Sequence, residues 1–133
     1  MPSLYRAPRS WHEAVLRLAV LGTFVGHGTL CFTLRADWAG FLTYWGVSLE
    51  AAQRLMPVIG ALDWLIGLSA LVRPVPVLLL YGAGWAFLAA LMRPLTGQSW
   101  LEFVERAANW GAPLALWLLV RYSGVSSKSR RLA

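Results

Sequence analysis

Charge is what this sequence has least of. Only 14% of its 133 residues are Asp, Glu, Lys or Arg, against roughly a quarter in soluble domains. With 58% hydrophobic residues and a mean hydropathy of +0.56, a soluble fold of this length has no way to keep its Leu, Ala, Val and Trp residues from water. The solvent is therefore lipid. Cysteine is scarcer still: Cys31 stands alone, which excludes an intrachain disulfide and a thiolate cluster for zinc or iron–sulfur within one chain. It reads as inert packing. The two histidines, His12 and His27, are fifteen residues apart on one apolar segment, about 22 Å along a helix. One chain cannot bring both to a single haem iron. A metal site of His27, Asp63 and Glu105 is conceivable, but one imidazole with carboxylates is a weak signature, and no metal is expected. No nucleophile elbow, phosphate-cradling glycine loop or zinc-protease helix motif is present, so soluble-enzyme chemistry finds no support.

The formal charge of +6 and pI near 10.5 do not announce a nucleic-acid partner, because the basic residues form no stripe interleaved with aromatics. They sit at the ends of apolar segments, where they act as topology signals and contacts to anionic lipid headgroups. Arg6 and Arg9 precede an apolar run in the manner of a signal peptide, but the run from Ala14 to Leu34 is longer than a signal core and lacks a small-residue cleavage site. It is expected to stay as a first helix.

A bilayer core of about 30 Å takes on the order of 20 apolar residues to cross as a helix. Four segments qualify: about Trp11 to Leu34, Leu49 to Val72, Val75 to Met92 and Trp100 to Tyr122. Arg73-Pro74-Val75-Pro76 and Arg93-Pro94-Leu95-Thr96-Gly97 break the helical pattern between them. The expected fold is all-α: one transmembrane domain, an antiparallel four-helix bundle. The link 35–48, with Trp38, Phe41, Tyr44 and Trp45, reads as an outer loop lying along the membrane surface. With the N-terminus inside, eight basic residues (Arg6, Arg9, Arg17, Arg73, Arg121, Lys128, Arg130 and Arg131) face four outside (Arg35, Arg54, Arg93 and Arg106). That balance predicts both ends in the cytoplasm and 123–133 as a frayed cytoplasmic tail. Gly22, Gly26, Gly28, Gly60, Gly67, Gly82 and Gly84 are expected to let helices approach closely, since association in lipid rests on packing.

Polar residues within the spans are costly, roughly 2.5 to 3.5 kcal/mol for a charge at the bilayer centre, and so mark the bundle interior. His27, Asp63 and Arg93 lie on the first three spans, and Glu102, Glu105, Arg106 and Asn109 on the fourth. The last four follow i, i+3, i+4, i+7 spacing and share one helix face. Glu102 and Arg106 form an i, i+4 pair, leaving Glu105 and Asn109 to seek partners on other spans. Counting rise places His27 and Asn109 in one layer, Asp63 somewhat deeper, and the remainder in a shallower ring. Two readings share these residues: charges that lock helices in register, and a ligand- or proton-handling site around His27, whose imidazole ordinarily titrates near neutrality.

Gly26-His27-Gly28 in the first span, and Pro57-Val58-Ile59-Gly60-Ala61-Leu62-Asp63 followed by Gly67 in the second, resemble the DoxX-like family of small four-helix bacterial membrane proteins. The resemblance covers most of the chain. It departs where Thr29, Leu30 and Cys31 stand in place of the basic residue that often follows the first-span glycine. The resemblance implies an inner-membrane bundle, with His27 and Asp63 at the family's histidine and acidic positions, and a link in some relatives to quinone-coupled redox chemistry. The first functional expectation is an accessory or structural subunit of a membrane redox-type complex, with lipid and other membrane subunits or further copies of itself as partners and no resident cofactor. The second is a quinone-interacting oxidoreductase component using His27 and the span-four acids. A dimeric proton-coupled carrier comes third, because one four-helix chain offers no inverted repeat. Whether the chain is an enzyme is left open by its residues.

Overall fold

The computed structural model describes residues 3–33 and 36–132, with side chains up to Ser123. The expected span end at Leu34, Arg35, and the side chains of Lys128, Arg130 and Arg131 lie outside what is described. Six helices follow in order: α1 Trp11–Phe32, α2 Ala36–Thr43, α3 Leu49–Val72, α4 Pro76–Leu95, α5 Trp100–Val104 and α6 Ala107–Leu132. Three of them, α1, α3 and α4, are long and apolar enough to cross a membrane. No strand occurs among the described residues.

Local chemistry sets the ends. The hydroxyl of Ser10 accepts from the Glu13 amide at 3.1 Å and that of Ser48 from the Ala51 amide at 3.2 Å, each satisfying an orphan donor of the first turn. Pro76 opens α4 at the position where a missing N–H costs nothing. The closing break differs from the sequence reading. Pro94 does not stop α4, which continues to Leu95, since a proline near a helix end removes only one bond. Gly97, at φ +96°, makes the turn instead, in the left-handed region where a side chain would be strained.

Two further expectations are corrected. The fourth segment is not one helix from Trp100: α5 lasts five residues and the chain turns at Glu105–Arg106 before α6 begins. There the Arg106 amide bonds the Phe103 carbonyl at 3.2 Å, three residues back rather than four, so the ladder tightens out of α-geometry. The stretch read as a frayed tail is helical through Leu132.

α1 packs most extensively on α3 and α4 on α6, while α1 also meets α6, and α3 meets α4. Between them lies a core of Val20, Phe24, Ile66, Ala70, Leu79, Ala86 and Leu116. Small residues set the α1–α3 spacing. A Cβ on Gly28 would come within 2.6 Å of the Gly60 carbonyl oxygen, and one on Gly60 within 2.7 Å of the Gly28 carbonyl oxygen. Gly67 and Gly82 likewise face α1 closely, whereas Gly22, Gly26 and Gly84 meet nothing within 4 Å.

Candidate functional site

α2 decides the site. Trp38, Phe41 and Leu42 have i, i+3, i+4 spacing, so once residues 36–43 wind into a helix they share one side of it, and Trp45 follows in the turn beyond. That side closes a cavity of about 200 Å³ formed with His27 and Cys31 of α1, Met56, Ile59 and Asp63 of α3, and Trp85, Ala90 and Arg93 of α4. Trp38 and Phe41 therefore line an internal space rather than only a membrane surface, a correction to the reading of 35–48. The i, i+3, i+4 spacing was the signal available in the sequence. Tyr44 and Trp45 keep substantial exposure.

Five of the seven candidate residues, His27, Asp63, Arg93, Arg106 and Asn109, line this cavity. Glu105 lines only a second, more polar space of about 420 Å³, which shares His27, Trp38, Arg93, Arg106 and Asn109 with the first and adds Leu30 and Asp37. Glu102 lines neither but holds Arg106, its carboxylate 2.7 Å from Nη1. Glu105, expected to reach another helix, turns to the same guanidinium at 2.5 Å. The turn at Glu105–Arg106 explains this: it breaks the helix face on which Glu105 was to project outward. The Arg106 Nη1 also donates to the Glu102 carbonyl at 2.7 Å, so a backbone group freed by the break is satisfied.

Asp63 is not deeper than His27. Its Cβ lies 3.2 Å from where a side chain on Gly28 would begin, which places it beside the residue that follows His27. Asp63 is 2% exposed, and its Oδ1 has no hydrogen-bond partner. A buried carboxylate oxygen left so forfeits a strong interaction in an apolar setting. The His27 ring rests against Trp38 with centroids 5.2 Å apart at 52°. Arg93 lies over the Phe41 ring, 5.2 Å from its centroid, and the Trp45 indole N–H points to the Met92 sulfur at 3.2 Å. Among the described residues no three His, Cys, Asp or Glu side chains stand together as a metal-ligand group.

A second polar cluster escaped the sequence reading. Glu13 and Arg17, 1% and 2% exposed, pair at 2.7 Å, and Arg6 joins Glu13 at 2.5 Å. The Arg17 Nη1 donates to the carbonyls of Arg6 at 2.6 Å and Leu71 at 3.1 Å, and the Arg6 amide to that of Val72 at 2.9 Å. The cluster fastens the chain before α1 onto the end of α3. The i, i+4 spacing of Glu13 and Arg17 was the legible part. Arg17 was instead counted with the charges outside the membrane.

Fold and site together describe a helical protein with three helices long and apolar enough to cross a membrane and a largely apolar cavity that has one polar end. Set beside protein-family models, curated proteins and solved structures, the chain matches none.

Proposed function

We propose that this chain is a four-span protein of a bacterial inner membrane, with α6 as the fourth span and both ends in the cytoplasm, that binds a small ring-sized molecule inside its bundle and serves as a subunit of a membrane complex. The observation that carries the binding function is Asp63: a buried carboxylate with an unpartnered oxygen on the wall of a largely apolar cavity. An ionisable residue kept in such a place marks a functional site by default in membrane proteins. The size is consistent with one ring, since an apolar cavity of roughly 150 Å³ admits benzene. The outward faces bearing Leu62, Leu65, Leu68 and Leu80 suit lipid or a neighbouring subunit equally. The resemblance of the residues around His27 and Asp63 to the DoxX-like family accords with this reading.

A quinone head group is the second reading. It matches the cavity in size, and Arg93, Arg106 and Asn109 supply donors for its carbonyls. Its oxidised form gives Asp63 nothing to accept, so the reduced dihydroxy form is the better complement. Native mass spectrometry of the protein in mild detergent tests both readings. A stoichiometric small molecule, lost in Asp63→Asn, supports the site, and its mass separates quinol from other ligands. Partner chains in the same spectra support the subunit role. Protein that carries no small molecule and takes up none from a panel of single-ring compounds overturns the binding function.

A further inference from the structure

We infer that the cavity accepts a small lipophilic cation, a protonated amine or quaternary ammonium on a ring-sized apolar body, with its charge against Asp63. This rests on the reading of the cavity as a ligand site and names the class of molecule it takes.

Three observations converge. First, Asp63 Oδ1 is a buried acceptor without a donor. An anionic ligand would meet repulsion there and a neutral acceptor would leave it unanswered, while an ammonium group supplies both the proton donor and the opposite charge. Second, Trp38, Phe41, Trp45 and Trp85 stand in the wall, and aromatic faces around a carboxylate are the surroundings in which ammonium cations are bound. The Arg93 guanidinium over Phe41 at 5.2 Å shows that this wall already carries one cation. Third, Arg106 is matched by Glu102 and Glu105, so this cation of the cavity wall is answered within the protein.

The test is isothermal titration of the full-length protein in lipid nanodiscs, corrected against empty discs, with cyclohexylmethylammonium and with cyclohexylmethanol, which share a shape and differ in charge. The amine is expected to bind the wild type more tightly than the alcohol by on the order of tenfold or more. In Asp63→Asn, with its circular dichroism unchanged, the difference should vanish. Equal affinity for the two compounds overturns the cation assignment and leaves the cavity a ligand site. Tighter binding of the alcohol does the same. If neither compound binds, the cation assignment falls, and the panel of single-ring compounds then decides separately whether the cavity binds anything. The ratio measured on the wild type decides the cation question even if Asp63→Asn does not fold.

Discussion

The carbonyl oxygen of Gly60 stands 2.6 Å from the place where a Cβ on Gly28 would lie, with Trp64 Cδ1 at 2.5 Å. This close approach of α1 and α3 sits one residue from His27 and beside Asp63, so helix spacing and cavity shape are set at the same point.

Gly28→Ala should force α1 and α3 apart and destabilise the protein by about 1–3 kcal/mol, the usual range for overpacking. Thermal unfolding in detergent, followed by circular dichroism, measures it. Gly84→Ala, at a mid-helix site with nothing within 4 Å, is the control and should be neutral or stabilising by up to about 1 kcal/mol, the helix-propensity gain of Ala over Gly. A Gly28→Ala protein as stable as the control would show that the two helices are free to separate.

Arg17→Met leaves the 1% exposed Glu13 with a buried charge only partly answered by Arg6. Breaking such a pair from one side costs about 3–5 kcal/mol. The double variant Glu13→Gln with Arg17→Met should lose less than the sum of the single changes, because no uncompensated ion remains. Additive losses in a double-mutant cycle would mean that the two side chains act independently. Protease cleavage before Trp11 should quicken in the single variant, as Arg17 also holds the carbonyl of Arg6 at 2.6 Å.

Cys31 is the one cysteine and lies in the cavity wall, which makes it a reporter of access. A small neutral methanethiosulfonate reagent should modify it slowly in the folded protein, and a polymer-linked maleimide hardly at all. Trp38→Ala removes a ring shared by both spaces and should speed the small reagent several-fold, read by intact-protein mass spectrometry. A cavity ligand should protect the thiol. An unchanged rate in Trp38→Ala would rule out passage beside that indole.

Reporter fusions test the orientation. With both ends in the cytoplasm, reporters inserted at residues 44–48 and 96–99 should score as outside, and one in the Arg73–Val75 connection as inside. The opposite pattern at all three would invert the protein and put the polar space on the cytoplasmic side.

Much of the helical framework could be read from the chain alone because its causes are local. The span Leu49 to Val72 emerged with those bounds, since Ser48 caps one end and Arg73-Pro74 ends the other. The low charge required lipid, and the polar residues inside apolar runs pointed to an interior cluster. His27, Asp63, Arg93, Arg106 and Asn109 do share a cavity, because ionisable groups on spanning helices are driven inward wherever their neighbours are apolar.

What the tertiary structure decided depends on contacts between residues far apart in sequence. Whether Trp38 and Phe41 faced headgroups or a cavity turned on α2 docking against α3. That Asp63 stands beside His27's neighbour followed from the mutual approach of Gly28 and Gly60, which no count of helical rise contains. Glu105 faced Arg106 because the chain turns between α5 and α6. The burial of Glu13 and Arg17 needed the carbonyls at the end of α3. Hydrophobicity and capping act over one turn of helix and are written in sequence; the partner of each buried polar atom is chosen only when the helices meet.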